Sequence, residues 1–403
     1  MNKIKKDLSP FFSIVIPTRD RSDLVKSLIW SVLQQSYRDL EIIVCDNSSN
    51  NLTQDVLNKF KDDRLINIRT GNLGMSENYN VGINSVSGKY LMCISDKGIL
   101  KKGALSYLHK LIITKNYKCI TWALDNFVYP GHFFKSPRVS ESRTLESSYL
   151  LKFMLGSDYR SYDHAPMHCT SCVSMELVEA IQKKHKNLCQ AQNPDYTMAA
   201  QILLSTNTIY NLKENLVILR NVSSKDGYGM GYSLARKTQE SRAFLEEHAD
   251  WIKDTNRFSD IPIKNCTFIV DLMLRDTYKV LEDNNINPDI YLSKKERLIS
   301  YYFFTYEEII SRTALGVNMK QEFVIWVEAL NKESLEIKYQ VNKRKRTLWF
   351  VSLKAHFKYF FKKNVFTLYL LDKLRPIRYK NSGILYKNIE DCYNFNVVQD
   401  HIK

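Results

Sequence analysis

Three short apolar segments near the N-terminus each end in a polar cluster, and this arrangement constrains the fold more than any other feature. The segments run over 13–16, 40–45 and 88–94, and a helical periodicity separates the first two. The clusters that follow are Pro17-Thr18-Arg19-Asp20-Arg21, Asp46-Asn47-Ser48-Ser49 and Ser95-Asp96-Lys97-Gly98. In an open parallel sheet, ligands bind beyond the carboxyl ends of the strands. The pattern therefore predicts an α/β fold with a mostly parallel sheet and one site formed by the three clusters.

The same stretch resembles the family 2 glycosyltransferases, which use a nucleotide-sugar-binding fold of the GT-A type. The matching pieces are Val15 to Arg19, Val44 to Ser49, Asn72 to Gly82 and Ile99 to Leu105. The resemblance is good over 11–105, is traceable to about residue 233 and is absent from the tail. It implies a GT-A domain over residues 1–235, of the type that builds bacterial surface polysaccharides.

From about residue 236 the sequence pattern changes. Long helical segments are predicted at 237–253, 267–283, 294–315 and 320–331, and glycine becomes rare. We therefore predict a mainly helical C-terminal region over 236–403. Between residues 338 and 380 it carries thirteen lysines and arginines against one acid, Asp372, with aromatic residues interleaved.

The charge of the chain indicates an acidic partner. The net charge is +15, and the basic, aromatic tail suits an anionic membrane surface, although a packed helix with a solvated basic face has the same pattern. Nucleic acid is not expected, because no nucleic-acid-binding module is present. The basic N-terminus lacks the apolar core of a signal peptide, and no apolar run is long enough to span a bilayer. We expect a cytoplasmic protein at the inner face of the cell membrane.

The cysteines give little indication of function. Eight are scattered without the spacing of a disulfide framework, so we expect reduced thiols. Cys169 and Cys172 form a single CxxC without a second pair, which favours two small buried residues over a zinc site.

A sugar nucleotide presents a base, a ribose and a diphosphate. The resemblance assigns the nucleotide to Asp46, and an arginine after the first strand could bind phosphate through its planar fork. The alternatives are a turn cap for the aspartate, solvated arginines and plain helix surface for the asparagines. The predicted donor-binding residues are Pro17, Thr18, Arg19, Arg21, Asp46, Asn47, Asn78, Asn80, Ser95 and Asp96.

The acidic motif departs from the family pattern. Relatives often read Asp-Asp-Asp-Gly where this chain has Ser95, Asp96, Lys97 and Gly98, and their last carboxylate holds a divalent metal, Mn²⁺ or Mg²⁺. Three interpretations stay open. Lys97 replaces the metal and stabilises the leaving diphosphate, Asp96 still binds a metal after a shift of one residue, or catalysis is lost.

The acceptor hydroxyl needs a general base within hydrogen-bonding reach. The family places an acid at the start of a later helix, and Asp195, after Asn193 and Pro194, matches that placement. Helix capping is the alternative role. His164 and His168 are candidate acceptor-site or metal residues, or structural histidines. A glycine-rich loop at 227–231 could close over the donor or form a simple turn.

Together with these residues, the resemblance implies an inverting glycosyltransferase. The donor would be a nucleotide sugar, UDP-linked, and the acceptor a hydroxyl of a surface glycan or of a lipid-linked molecule. Asp195 and Lys97 would be the catalytic residues. The alternative is a non-catalytic GT-A-like binding or scaffold protein, which the altered motif at Ser95 to Lys97 favours and the retained Asp46 and Asn80 oppose.

Overall fold

A computed structural model describes most of the chain. The described residues are 9–128, 132–135, 140–158, 164–191, 193–221, 237, 239–264, 268–314, 316–348, 381–385, 389–395 and 398. The strands are β1 (Phe12–Thr18), β2 (Leu40–Asp46), β3 (Leu65–Arg69), β4 (Tyr90–Cys93), β5 (Gly98–Leu100), β6 (Cys119–Thr121), β7 (Leu124–Val128), β8 (His132–Phe134), β9 (Arg143–Glu146), β10 (Ser171–Ser174), β11 (Thr208–Asn211), β12 (Val217–Asn221) and β13 (Asn381–Leu385). The α-helices are α1 (Ser22–Leu33), α2 (Leu52–Leu57), α3 (Met75–Asn84), α4 (Ala104–Lys115), α5 (Ser147–Leu155), α6 (Met175–His185), α7 (Pro194–Ser205), α8 (Gln239–Glu247), α9 (Ala249–Thr255), α10 (Ile269–Asp283), α11 (Lys294–Ala314), α12 (Lys320–Asn331), α13 (Leu335–Lys345) and α14 (Ile389–Phe395).

An eight-stranded sheet forms the centre of the first region, in the order β3-β2-β1-β4-β10-β6-β11-β9. The strands β3, β2, β1 and β4 are parallel neighbours. Strand β10 runs antiparallel to β4, and β9 runs antiparallel to β11. This mostly parallel sheet confirms the predicted fold class. Thr18 lies opposite Asp46 in the register of β1 and β2, so the polar clusters after these strands meet at one edge.

The buried strands pack on both faces, because successive side chains point to opposite sides of the sheet. Ile14 and Ile16 belong to a core with Leu28 of α1 and Leu108 of α4. Val15 belongs to the core on the other face, where residues of α3, α5, α6 and α7 pack. Near-continuous apolar runs are typical of parallel strands covered on both faces.

A second sheet of five strands, in the order β13-β8-β7-β12-β5, lies beyond the first. The segment 125–147 contains Pro130, Gly131 and Pro137, which predict a loop, and this prediction is wrong. It contains most of β7 together with β8 and β9. Strands β7 and β8 pair with each other, and each of the three strands also pairs with a distant part of the chain. Pairing of this kind depends on partners far away in sequence, which local turn residues do not reveal.

The predicted helices after residue 236 are confirmed with one difference. The segment predicted at 237–253 is two helices, α8 and α9, separated at His248. Helices α10 to α13 contribute to a core of their own, which also includes Leu155 of α5. Among the helices that the structure describes, none is long and apolar enough to cross a membrane.

The end of the chain returns to the first region. The Ser27 hydroxyl of α1 donates a hydrogen bond of 2.6 Å to Glu390 of α14, and the rings of Trp30 and Tyr393 meet edge to face. Strand β13 also joins the second sheet. Residues assigned to the helical region therefore complete the α/β region, an arrangement that a boundary at residue 236 does not anticipate. Most of the basic tail, 349–380, lies outside the described residues.

Candidate functional site

The ends of β1 and β4 are joined through one buried carboxylate. Asp96 is 2% exposed and follows β4. The Thr18 hydroxyl donates to its Oδ2 at 2.9 Å, and an Arg21 guanidinium nitrogen lies 3.5 Å from its Oδ1. The Ser95 hydroxyl lies 3.3 Å from the same Oδ1. The structure therefore brings four of the predicted residues together in one network.

Lys97 follows directly and is only partly buried. Burial is the main cause that lowers the pKa of its ammonium group, and the nearby Arg21 charge adds to the effect, while Asp96 opposes it. Within the described part of the chain, no carboxylate lies within 4 Å of this ammonium group. Lys97 is thus a desolvated cation that makes no direct ion pair with any described residue, and an anionic ligand would stabilise it.

His168 and Asp195 form the second half of the site. His168 Nδ1 contacts Asp195 Oδ1, and the two side chains are 23% and 25% exposed. Burial and the Lys97 charge lower the pKa of His168 to about 3, so the imidazole is neutral at physiological pH. Because a carboxylate only accepts hydrogen bonds, we assign the imidazole proton to Nδ1. Asp195 Oδ2 is left for another hydrogen-bond donor.

A strained turn holds His168 beside the end of β4. Cys169 has a φ of 62°, in the left-handed region that β-carbon-bearing residues seldom adopt. Its backbone N–H donates to Cys93 O at 2.7 Å, and its Sγ lies 3.1 Å from the Ser95 nitrogen. These contacts place His168 next to Lys97. Both Cys169 and Cys172 are buried free thiols, in agreement with the prediction of two small buried residues.

Asp46 occupies a separate polar pocket at the end of β2. Its carboxylate is fully buried and accepts from the Ser48 N–H at 2.9 Å, from Gln54 Nε2 at 3.0 Å and from Arg69 at 3.2 Å. Arg69 also donates to Ser48 O, and its side chain is 36% exposed. Asp46 therefore fixes Arg69 and Gln54, and the arginine reaches solvent.

The predicted asparagines divide into two groups. Asn78 donates to Cys45 O at 3.0 Å and to Asn47 Oδ1 at 3.2 Å. Asn78 and Asn47 therefore lie behind the Asp46 pocket. Asn80 instead bonds both the N–H and the carbonyl of Cys189, which favours a structural role. Helix α3 itself begins after Gly74, whose N–H donates to the Glu77 carboxylate at 3.0 Å.

The remaining predicted residues are more dispersed. Pro17 is partly buried within β1, and Arg19 is exposed, 3.5 Å from the Asn72 side-chain oxygen across the mouth of the site. His164 contacts Asn211 at 3.1 Å, which gives it a structural partner. The glycine-rich loop 227–231 lies outside the described residues.

The residues at the end of β4 do not fit a divalent metal. A hard cation such as Mg²⁺ needs several oxygen ligands, but both Asp96 oxygens already accept hydrogen bonds or contact a cation. The neighbouring position that would supply a second ligand holds Lys97. In the described ranges, no group of three histidines, cysteines or acids is placed to hold a metal ion.

Two functional candidates, Gln54 and Arg69, were missing from the sequence prediction. Arg69 ends β3, so the rule that selected the ends of β1, β2 and β4 would have selected it as well. Gln54 gives no such signal, because it lies in the short helix α2 and meets Asp46 only after folding.

Comparison with known proteins adds a family and two relatives. Residues 13–183 match the model described as Glycosyl transferase family 2. The GalNAc(5)-diNAcBac-PP-undecaprenol beta-1,3-glucosyltransferase of Campylobacter jejuni is 35% identical over 103 residues, 25% of this chain and 33% of that protein. The UDP-Glc:alpha-D-GlcNAc-diphosphoundecaprenol beta-1,3-glucosyltransferase WfaP of Escherichia coli is 35% identical over 138 residues, 33% of this chain and 55% of that protein. The chain thus spans a third to just over half of the length of these relatives.

Among solved structures, S. aureus TarS 1-349 in complex with UDP-GlcNAc covers 87% of this chain and 91% of its own length. The sequence identity is 13% and the TM-score 0.42. A similarity at this level carries no argument about ligands.

Proposed function

The segment from residue 13 to residue 183 belongs to glycosyl transferase family 2, and from this premise we propose that the protein is an inverting glycosyltransferase. The donor is a nucleotide sugar, UDP-linked, and the acceptor is a hydroxyl of a surface glycan or of a lipid-linked molecule. The names of two relatives support this choice, since both names include an undecaprenol-linked diphosphate and one also includes UDP-Glc. The main structural support is the meeting of Lys97 with the His168–Asp195 pair at the end of β4.

The nucleotide lies across the ends of β1, β2 and β3. Asp46 holds Arg69 and Gln54, whose polar groups contact the base or the ribose. Arg19, at the open edge, and Arg21, beside Asp96, supply positive charge along the diphosphate. This placement follows the general position of ligands in parallel α/β sheets.

Lys97 provides the charge that a metal ion supplies in many relatives. As the bond between the sugar C1 and the diphosphate oxygen breaks, the bonding electrons stay on the diphosphate. An ammonium group fixed at this position stabilises that growing charge without reorganising. The lowered pKa of Lys97 agrees with a cation that has few compensating neighbours before the donor binds.

Asp195 accepts the proton of the acceptor hydroxyl. The hydroxyl oxygen then attacks C1 on the face opposite the leaving diphosphate, so that a single displacement inverts the anomeric centre. His168 holds one carboxylate oxygen and leaves the other for the acceptor. General-base catalysis of this kind contributes about 10²–10⁴ to the rate.

The test is release of nucleoside diphosphate from a panel of nucleotide sugars, with added Mn²⁺, with Mg²⁺ and with a chelator. Release that survives the chelator is expected. Asp195→Asn should lower it by about 10²-fold or more, while Glu176→Gln serves as the matched control, because Glu176 is an exposed acid in the first turn of α6. Release that depends on added metal would contradict the role given to Lys97.

A non-catalytic binding protein is the second candidate. The observation in its favour is that Asp96 is fully engaged by Thr18 and Arg21. Donor binding without release in any condition, with turnover restored by Lys97→Asp and metal, would identify a domain that has lost catalysis. Loss of existing turnover in the same variant would support the lysine mechanism.

The basic tail would bring the enzyme to an anionic membrane surface, where its acceptor resides. The last turn of α13 already carries Lys343, Arg344 and Lys345, and the excess of bases continues along the sequence to residue 380. Each base near such a surface contributes roughly 1 kcal/mol. Co-sedimentation with vesicles containing phosphatidylglycerol, compared with pure phosphatidylcholine vesicles at rising salt, tests this. Equal binding to both vesicle types would refute it.

A further inference from the structure

The start of α7, which carries Asp195, is held by groups outside the helix. Asn193 precedes the helix, and its side chain makes no hydrogen bond to the helix N-terminus. Instead, its backbone N–H and its Nδ2 both donate to Asp276 Oδ2, at 3.1 and 2.8 Å. Asp195 is engaged by His168 on the other side of Pro194. Two external contacts thus fix Asn193, directly before the helix, and Asp195, its second residue.

Asp276 belongs to α10, in the helical region that follows the family-matched segment. It is fully buried, and these hydrogen bonds offset part of the cost of removing its carboxylate from water. The neighbouring Arg275 donates to Thr255 Oγ1 at 2.7 Å and to Asn256 Oδ1 at 2.8 Å, which anchors α10 to α9 and the residue after it. The carboxylate is therefore attached to a firmly packed helix.

We propose that Asp276 is a positioning residue for Asp195, through which the helical region holds the general base in place. This inference rests on the proposed function. Pro194 has a fixed φ angle, so a shift of Asn193 passes directly to Asp195. A displacement of about 1 Å at a reacting group lowers the rate on the order of 100-fold. The helical region then takes part in catalysis without touching either substrate.

The experiment compares Asp276→Ala, Asp276→Asn and Asp271→Asn in the full-length protein. Asp271 is the matched control, because it is a buried carboxylate on the same helix that accepts from the Tyr301 hydroxyl and not from α7. Two quantities are measured: kcat and the donor KM, and the ¹⁵N chemical shifts of the His168 imidazole, assigned with His168→Gln.

Asp276→Ala should lower kcat on the order of 100-fold with the donor KM nearly unchanged, and it should change the Nδ1 signal of His168. Asp276→Asn keeps an oxygen acceptor for Asn193 and should lie between this variant and the wild type. If Asp276→Ala does not fold, Asp276→Asn provides the test in its place. Asp271→Asn should leave kcat and the His168 signal as in the wild type, even if it lowers the unfolding temperature.

The proposal is overturned if the folded Asp276 variants keep the wild-type His168 signal, or if Asp271→Asn alters that signal equally. The imidazole signal does not depend on turnover. A wild-type protein that releases no nucleotide would therefore contradict the proposed function, while the response of His168 would still decide whether Asp276 positions Asp195.

Discussion

Replacing Lys97 with methionine separates its catalytic role from its effect on folding. Methionine has a similar length and no charge. The folded protein binds the Lys97 proton less tightly than the unfolded chain does, because burial and Arg21 lower its pKa. Below that lowered pKa the lysine therefore reduces stability, and removing it should leave stability unchanged or raise it. No ion-paired carboxylate is left behind within the described residues, since none lies within 4 Å.

The catalytic loss is expected to be large. Removing one preformed donor to a developing anion lowers kcat by about 10²–10³-fold, equivalent to about 2.7–4 kcal/mol. Compensation by the neighbouring cations should be weak. Arg21 is shared with Asp96, and Arg19 is exposed at the edge of the site. We therefore expect a loss near the upper end of this range.

The assay couples UDP release to a colour reaction in the presence of chelator and reports kcat and KM, while thermal unfolding is followed by fluorescence at the same pH. Lys89→Met is the control, because Lys89 is exposed and lies directly before β4, at the end opposite to Lys97. It should leave both quantities unchanged.

Two results would refute the reasoning. A Lys97→Met variant with near wild-type kcat in chelator would show that the ammonium group does not stabilise the leaving group. A variant that loses stability together with activity would show that the lysine is a structural cation, contrary to the pKa argument.

Three further results are expected. Arg69→Met should weaken UDP binding by about 1.5–3 kcal/mol, measured by calorimetry, because it removes the charged donor, held by Asp46, that we propose contacts the base or the ribose; an unchanged affinity would place the nucleotide elsewhere. The pH profile of kcat/KM should fall on the alkaline side as Lys97 loses its proton at a lowered pKa, and Lys97→Arg should move that fall to higher pH; identical profiles would assign the limb to another group. Gly82→Ala should lower the free energy of unfolding by about 1–3 kcal/mol in denaturant titrations, because the added Cβ would lie 2.5 Å from Val15 Cγ1; an unaltered midpoint would mean that helix α3 and strand β1 adjust freely.

The sequence was sufficient to predict the part of the fold that depends on local periodicity. Apolar runs ending in polar clusters identified β1, β2 and β4, and helical spacing identified α10 to α12 close to their observed bounds. These features are predictable because each run buries its own apolar face and ends at its own turn residues. The placement of Asp195 at the start of α7 followed for the same reason.

Contacts between distant segments could not be predicted in this way. The expected loop at 125–147 forms strands because β12 and β11 lie beside it, and neither partner is near in sequence. The His168–Asp195 contact depends on the positive φ angle of Cys169, and a cysteine in the sequence does not indicate such an angle. Asp276 lies more than eighty residues after Asn193 and looks like any acid on the polar face of a helix.

The charges around Lys97 at the end of β4 favour an anionic ligand. Arg21 and Lys97 are close enough to repel each other, and Asp96 compensates one unit of that charge. His168 contributes no charge because it is neutral, and the second carboxylate, Asp195, contacts the imidazole and not Lys97, so the excess of positive charge is local to Arg21 and Lys97. A diphosphate would neutralise the excess, so that the same lysine that destabilises the empty protein stabilises the complex. The desolvated Lys97 thus lowers the free energy of unfolding of the empty protein. In the proposed mechanism it strengthens donor binding and, as the leaving group gains charge, binding of the transition state.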